Sequence, residues 1–258
     1  MKNKHLLCDI GNTSFDFCFL DGKYKIFKKF RSDEEDKISL FIQEIHSEDL
    51  FCLISSVNHK NLSFLLGILK EYKIKNSLLS PSLMKEYAIN HGYTISNTDY
   101  LGGDLYCDVI AAKKSPSIII DLGTVGKILF LDKGKIFRGA AIFPDIQQFP
   151  AIMDSSTDLL KGYGLKMRPP LVSLKTEECI SSGAINGMCG LISGYISQLK
   201  KEYQLSDVDI LLTGGAGFYI AETLKLYVKE EFQFIPYLCL DGLEKILNYI
   251  IKSEDKNI

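Results

Sequence analysis

The stretch that decides the fold is Ser117–Phe130, SIIIDLGTVGKILF. Three isoleucines lead into Asp121, a turn with Gly123 and Thr124 follows, and a second apolar run then begins. This pattern predicts a buried strand, a polar corner and another strand. Glycine lets the main chain approach a ligand closely, and the N–H groups of such a turn can bind phosphate oxygens. An isolated buried carboxylate is costly, so we expect Asp121 to face a cation or a Mg-bound phosphate.

A second copy of this pattern lies near the start of the chain, at Leu6–Thr13, LLCDIGNT. Here an apolar run leads into Asp9 and Gly11. The acidic residue of each copy is followed 13 residues later by a glycine, Gly22 or Gly134, between two apolar runs. Such glycines are typical of hairpin turns. The shared plan of strand, acidic corner, strand, tight turn and strand indicates an internal duplication.

Two further corners contain paired glycines. Gly102-Gly103 precedes Asp104 at the start of a predicted helix, where the helix dipole favours negative charge. Asp104 is there either a simple N-cap or a catalytic group. Gly214-Gly215 ends the predicted buried strand Asp209–Thr213 and opens a helix. That pattern is typical of a nucleotide-binding corner, and equally of a tight strand-to-helix turn.

These features predict an α/β protein of two related domains, residues 1–115 and 116–258, each a mixed sheet flanked by helices. We expect the longest helix at Thr176–Lys200 and a closing amphipathic helix at Leu240–Ile251. Ser155–Pro170 has no clear periodicity and predicts a long surface loop. The expected place of the site is a cleft between the two domains.

Composition bounds the class of protein. The 258 residues are 46% hydrophobic and 24% charged, as in ordinary globular proteins, and a net charge of −2 gives no electrostatic case for a nucleic-acid partner. The seven cysteines are scattered and contain no Cys-Xaa-Xaa-Cys pair, which favours buried thiols in a reducing compartment. The apolar run at the N-terminus is too short for a signal peptide, and no uninterrupted apolar stretch is long enough to cross a bilayer. We therefore predict a cytoplasmic protein with no membrane partner.

Three of the corners, Asp9–Thr13, Asp121–Thr124 and Thr213–Gly215, resemble the phosphate-1, phosphate-2 and adenosine motifs of the actin/hexokinase/heat-shock-chaperone ATPase superfamily. Within it, the chain is similar from end to end to the type III pantothenate kinases. The family's other motifs match, in order, Gly102–Leu105, Gly139–Asp145, Thr176–Gly183 and Leu240–Leu243. The resemblance implies two duplicated actin/hexokinase-like (ribonuclease H-like) domains. It also implies ATP-dependent phosphorylation of pantothenate to 4'-phosphopantothenate, the first step of coenzyme A synthesis.

The same resemblance implies roles for individual residues. Asp104 would be the base that takes the proton from the primary hydroxyl of pantothenate. Asp9 would hold Mg2+, and Asp121 would bind a monovalent cation, K+ or NH4+. ATP and its phosphates would be bound by Asp9, Ile10, Gly11, Asn12, Thr13, Ser14, Phe15, Thr124, Gly214 and Gly215. Pantothenate would be bound by Gly102, Gly103, Asp104, Leu105 and, across a homodimer interface, Thr176.

The chain departs from the family pattern at several of these positions. Leu105 stands where the family has arginine, which removes a fork-shaped cation, and Arg138 is our candidate substitute. Val125-Gly126-Lys127 replaces the usual Ala-Thr-Thr. We predict that Lys127 is an exposed strand residue; the alternative is an ammonium that stands in for the monovalent cation near Asp121. Ala140 and Asp145 stand where the family has glycine, and Thr98 stands where it has proline.

The predicted function is therefore that of a pantothenate kinase, a phosphotransferase with an alcohol acceptor, whose activity the departures could reduce. One alternative is a catalytically impaired homologue that acts as a binding or regulatory protein, which the replaced motif residues favour. The other is a superfamily kinase or phosphatase that acts on a different small molecule. Phosphoryl transfer needs positioning and charge neutralisation more than covalent chemistry, so a carboxylate base is sufficient for any of these kinases.

Overall fold

The computed structural model describes residues 4–254. Its ten strands within that range are β1 (His5–Ile10), β2 (Ser14–Asp21), β3 (Tyr24–Arg31), β4 (Phe51–Ser56), β5 (Lys75–Leu78), β6 (Ser117–Leu122), β7 (Val125–Asp132), β8 (Ile136–Pro144), β9 (Asp209–Thr213) and β10 (Gln233–Phe234). The α-helices are α1 (Glu35–Ile45), α2 (His59–Glu71), α3 (Pro81–Asn90), α4 (Gly103–Ala111), α5 (Phe149–Ser156), α6 (Thr176–Glu202), α7 (Gly215–Leu224) and α8 (Leu238–Glu254).

The chain forms two compact units. Unit 1 contains the residues up to Ala111 and those from Tyr237 onward, and unit 2 is Ala112–Pro236. In unit 1 the strand order is β3-β2-β1-β4-β5, with an antiparallel meander on one side and parallel strands on the other. Alternate residues of a strand point to opposite faces. Leu6, Cys8 and Ile10 accordingly pack with α1 and α2, whereas Leu7 packs with α4 and α8.

Unit 2 repeats this plan. Its strand order is β8-β7-β6-β9-β10, so that β6 to β10 occupy the places that β1 to β5 have in unit 1. The directions also match, because β6, β7 and β8 form an antiparallel meander and β9 and β10 run parallel to β6. Helices α6 and α7 bury the face of the sheet that carries Ile118, Ile120 and Leu122. Two mixed five-stranded sheets of one topology confirm the predicted α/β fold and the repeated plan.

The last helix, α8, packs in unit 1, although the sequence-based boundary assigned it to the second domain. It contacts α4 so closely that a Cβ atom on Gly242 would lie 2.2 Å from the main-chain oxygen of Cys107. Leu243 and Leu247 join the same core as Tyr106. The amphipathic pattern of α8 predicts a covered face but does not specify which sheet covers it, so sequence proximity to unit 2 was misleading.

Helix α6 is the longest helix in the described range, and it includes all of Thr176–Lys200, where the sequence predicted the longest helix. It is also the one described helix that is long and apolar enough to cross a membrane, by length and composition alone. More than half of its most apolar window, 56%, is buried inside the structure. Ile185, Ile192 and Ile196 belong to the core under the second sheet. This packing is that of a core helix.

Candidate active site

The first acidic corner forms a tight loop between β1 and β2. Gly11 N–H donates a hydrogen bond to the main-chain oxygen of Ser14 at 2.9 Å, while Asn12 and Thr13 are exposed. Ile10 and Phe15, predicted as phosphate-binding, are fully buried core residues. Only their main-chain atoms could therefore face a ligand. Asn12 and Thr13 thus lie exposed between two anchored apolar side chains, in a tight loop of the kind whose main-chain N–H groups can bind an anion.

Two asparagines that sequence reasoning missed fix this loop. Asn61 Nδ2 donates to the main-chain oxygen of Gly11 at 3.0 Å, and Asn58 Nδ2 donates to Asn12 Oδ1 at 3.0 Å. Asn58 is also the N-cap of α2, because its Oδ1 accepts from the N–H of Asn61 at 2.9 Å. Asn is a typical helix N-cap residue, so local sequence could indicate a cap at Asn58 but not a contact with a loop 46 residues away.

The carboxylates of Asp9 and Asp104 lie in the same region of unit 1. Asp9 on β1 is paired with Ser55 on the parallel strand β4, and a Cβ on Gly103 would lie 2.9 Å from Ser55 Oγ. Burial raises the pKa of the Cys107 thiol, and the nearby charges of both aspartates raise it further. Ser55 Oγ is buried without a hydrogen-bond partner in the described structure. The end of β4 thus brings the first phosphate loop and the start of α4 together.

Asp104 is the second residue of α4 and is 9% exposed. The helix dipole at this end favours a carboxylate. A Cβ on Gly102 would lie 2.5 Å from Asp104 Oδ1 and 3.3 Å from Leu105 Cδ1, so the glycine leaves the space that both side chains use. Leu105 packs there as an apolar residue and brings no charge to the place where the family has arginine.

Arg138 does not act as the substitute cation that we predicted. Its Nε and Nη2 atoms both donate to Asp132 Oδ2, at 2.9 and 2.8 Å, and its guanidinium lies 5.7 Å from the ring centre of Tyr203. Asp132 is the last residue of β7. Arg138 therefore forms a structural ion pair with Asp132 at that end of the strand.

The second acidic corner contains a buried ion pair. Asp121 on β6 and Lys127 on β7 are directly opposite in the antiparallel register. Lys127 Nζ lies 2.5 Å from Asp121 Oδ2, and each residue is 9% exposed. The prediction of an exposed strand residue at Lys127 was wrong, because the hairpin places the lysine on the same face of the sheet as the aspartate, where both are buried.

Asp145, at a position where the family has glycine, is a second buried carboxyl in this corner. It is fully buried, and its Oδ1 has no hydrogen-bond partner in the described structure. Burial raises the pKa of Asp145 to about 6, nearby Asp121 adds to the rise, and the N–H groups of Gln147 and Ile146 oppose it. Gln148, from the same segment, donates from Nε2 to the main-chain oxygen of Thr124 at 2.5 Å and so orients the second phosphate loop.

The third corner closes against the second. Gly214 has φ +85°, and a Cβ there would lie 2.3 Å from the main-chain oxygen of Leu122 and 2.7 Å from Asp121 Oδ1. Only glycine fits this approach. Gly215 begins α7, and a Cβ there would meet nothing within 4 Å. The N-terminus of α7 therefore faces open space beside the second phosphate loop. Thr176 begins α6 and is half-buried, and its contact with pantothenate stays a prediction.

The residues present suit a Mg2+ ion that is bound by one carboxylate together with substrate phosphates. Within residues 4–254 there is no group of three or more His, Cys, Asp or Glu side chains that could hold a metal ion. Mg2+ is commonly bound by one or two carboxylates together with substrate phosphates and water. Half-buried Asp9, beside the first loop, fits that arrangement.

The duplicated sheets and their glycine-bounded acidic corners define a protein of the actin-like ATPase fold. Solved structures support this class. A Baf family protein from Campylobacter jejuni, described as a transcriptional activator, has a TM-score of 0.59 at 21% identity and covers 98% of this chain and 100% of its own. The activator of 2-hydroxyisocaproyl-CoA dehydratase from Clostridium difficile, solved with bound ADPNP, has a TM-score of 0.55 at 13% identity, with coverages of 99% and 98%. At such identities the likeness shows the fold alone.

The chain belongs to the type III pantothenate kinase family, whose family model matches residues 5–198. A type III pantothenate kinase from Acholeplasma laidlawii is 25% identical and covers 96% of this chain and 99% of its own. One from Persephonella marina is 28% identical, with coverages of 93% and 97%. One from Fervidobacterium nodosum is 30% identical, with coverages of 83% and 88%.

Proposed function

We propose that this protein transfers the γ-phosphoryl group of ATP to the primary hydroxyl of pantothenate and so forms 4'-phosphopantothenate. Membership of the type III pantothenate kinase family supports this reaction and enzyme class. The observation that carries the proposal is the place of Asp104. Asp104 is 9% exposed at the N-terminus of α4, in the same region of unit 1 as Asp9 and the first phosphate loop.

In the proposed reaction Asp104 accepts the hydroxyl proton, and the hydroxyl oxygen attacks the γ-phosphorus. The bond from that phosphorus to the oxygen bridging the β- and γ-phosphates breaks, and ADP leaves with the electron pair. A base of this kind needs only hydrogen-bond reach of the hydroxyl. Mg2+ held by Asp9 and the phosphates would neutralise phosphate charge. Gly102 and Gly103 would line the pantothenate site beside this base, and a Cβ on Gly102 would displace the carboxylate, since it would lie 2.5 Å from Asp104 Oδ1.

The phosphates of ATP are assigned to main-chain and hydroxyl groups of the two acidic corners. Gly11, Asn12, Thr13 and Ser14 supply the first loop, with Ile10 and Phe15 contributing only main-chain atoms. Thr124 supplies the second. Gly214 and Gly215 would let the ribose or purine approach the start of α7, where a side chain on Gly215 would meet open space. A K+ or NH4+ ion at Asp121 stays a prediction that Lys127 opposes.

We also propose that the protein is a cytoplasmic homodimer. Leu171, Val172 and Leu174 are strongly exposed in the segment that precedes Thr176, with relative exposures of 70%, 84% and 105%. Contiguous exposed apolar residues mark interaction sites. A partner covering this segment would place Thr176 at the interface, as the family resemblance implies. Light scattering of the wild type and of Leu174→Glu tests this point, because only a dimer held by this segment should dissociate.

The substitution Asp104→Asn tests the kinase proposal. It removes the base and keeps the size of the side chain, so kcat should fall at least about a hundredfold. The melting temperature and ADPNP affinity should stay near the wild-type values. Asp99→Asn, at an exposed position five residues earlier, is the matched control and should keep full activity. Full ADP release by folded Asp104→Asn would remove Asp104 from its role.

A binding protein without turnover is the second candidate, because Leu105 is a half-buried apolar residue where the family has a cation. Purified protein with Mg-ATP discriminates between the two. ADP release that rises above background only when pantothenate is added supports the kinase. Nucleotide binding without such release supports the binding protein. A panel of sugar acceptors separates both from a kinase for another substrate.

A further inference from the structure

The family resemblance implies a monovalent cation at Asp121, but the residues of this chain do not fit one. The carboxylate already has a cation, since Lys127 Nζ lies 2.5 Å from Asp121 Oδ2. The two side chains are 13% and 11% exposed, so little water screens them. A K+ or NH4+ ion bound here would have to displace the ammonium or lie against it, and two like charges sharing one carboxylate repel each other.

The fold fixes this ammonium in place. Residues 121 and 127 are cross-strand partners in the β6–β7 hairpin, so the lysine stem starts directly opposite the carboxylate. The next strand also constrains the hairpin, because a Cβ on Gly126 would lie 2.2 Å from the ring of Phe143 on β8. Separating a buried ion pair leaves an uncompensated charge, which is strongly unfavourable. The contact between Lys127 and Asp121 is therefore strongly favoured over a separated pair.

The surroundings indicate a role beyond filling the core. Ile118, Ile120 and Leu122 face the core under α6 and α7, and strand alternation places Asp121 on the opposite face of the sheet. Gly214 approaches the same carboxylate so closely that a Cβ added to this glycine would lie 2.7 Å from Asp121 Oδ1. The ion pair thus lies where the second and third corners meet, beside the loop assigned to the phosphates of ATP.

We propose that the Lys127 ammonium is a built-in replacement for the monovalent cation, so that nucleotide binding and turnover do not depend on K+ or NH4+. An ammonium has the same charge as either ion, and lysine presents it as a compact point charge. Tethering by the side chain makes its occupancy independent of the salt around the protein. The turnover part of this inference rests on the proposed kinase activity, whereas the nucleotide-binding part does not.

The test compares wild type with Lys127→Thr, which restores the residue type that the family usually has. Pantothenate-dependent ADP release and ADPNP affinity are both measured in KCl, in NH4Cl and in choline chloride at equal ionic strength. Wild type should differ less than twofold among the three salts. Lys127→Thr should lose at least tenfold in ADPNP affinity in choline and regain most of it in K+ or NH4+. Lys133→Thr, at an exposed position of the same unit, is the control and should match the wild type.

Two results would overturn the inference: stimulation of the wild type more than tenfold by K+ or NH4+, or a folded Lys127→Thr protein that responds to neither ion. If the variant does not fold, the wild-type titration decides alone, since indifference to K+ and NH4+ supports a built-in cation and stimulation rejects it. The measurement of ADPNP affinity needs no phosphoryl acceptor. Failure of the kinase proposal would therefore appear as absent ADP release with the binding pattern unchanged.

Discussion

Asp145→Asn should stabilise unit 2 at neutral pH, because it removes a charge from a fully buried site. Burial raises the pKa of Asp145 from 3.8 to about 6, a difference of about two units. Each unit corresponds to about 1.4 kcal/mol, so ionised Asp145 costs about 3 kcal/mol of unfolding free energy. Asparagine keeps an oxygen that can accept from the N–H of Gln147, as Asp145 Oδ2 does at 3.4 Å.

The sign of the pH dependence follows from linkage. The native state binds the proton of Asp145 more tightly than the unfolded state, so this group lowers stability as pH rises from about 4 to about 6. Above about pH 6 the wild type bears the whole cost. The stability difference between Asp145→Asn and wild type should therefore be small near pH 4, grow towards pH 6 and stay constant above.

Urea unfolding between pH 4.5 and 8 measures this difference. Asp207→Asn, an exposed aspartate of the same unit, controls for the general effect of losing a negative charge. The predicted gain for Asp145→Asn at pH 7 is about 3 kcal/mol, against little change for the control. A gain that does not vary with pH, or no gain at all, would refute the conclusion that burial raises the pKa of the Asp145 carboxyl group.

Two glycine pairs give the remaining predictions. Gly214→Ala should weaken ADPNP binding at least tenfold in calorimetry, because its φ of +85° and a main-chain oxygen 2.3 Å from the new Cβ exclude a side chain. Gly194→Ala, exposed within α6 with nothing within 4 Å of the new Cβ, should bind normally. Equal affinities for the two would reject the role of this corner. Gly242→Ala should lower the unfolding free energy of unit 1 by about 1–3 kcal/mol, because its Cβ would lie 2.2 Å from a carbonyl oxygen. Gly67→Ala, exposed within α2, should raise that free energy by up to about 1 kcal/mol, and a stable Gly242→Ala protein would contradict the packing of α8.

The local pattern of the sequence was sufficient for the repeated corners. Apolar runs that end in Asp9 and Asp121, with glycines at 22 and 134, predict strand pairing through short-range turn chemistry, and both glycines have positive φ in the structure. These signals lie within one meander of three consecutive strands, so no contact between distant segments is needed to interpret them.

What escaped prediction depends on contacts between distant segments or on which face a residue occupies. Lys127 is charged, and charged residues are rarely buried without a partner, so its exposure was the natural expectation. Only the register of β6 and β7 shows that the partner is Asp121. Asn58 and Asn61 brace a loop that local sequence does not connect to them. Arg138 was assigned by adjacency in sequence, whereas Asp132 binds its guanidinium.

The position of α8 has a consequence for how the polypeptide matures on the ribosome. Unit 2 is continuous in sequence, so all of its strands are available before synthesis ends. The apolar surface around Tyr106 and Cys107, by contrast, stays uncovered until the last helix has emerged. Nascent chains that stop before Tyr237 would expose that surface to chaperones and proteases, even though every strand of the first sheet had already been made.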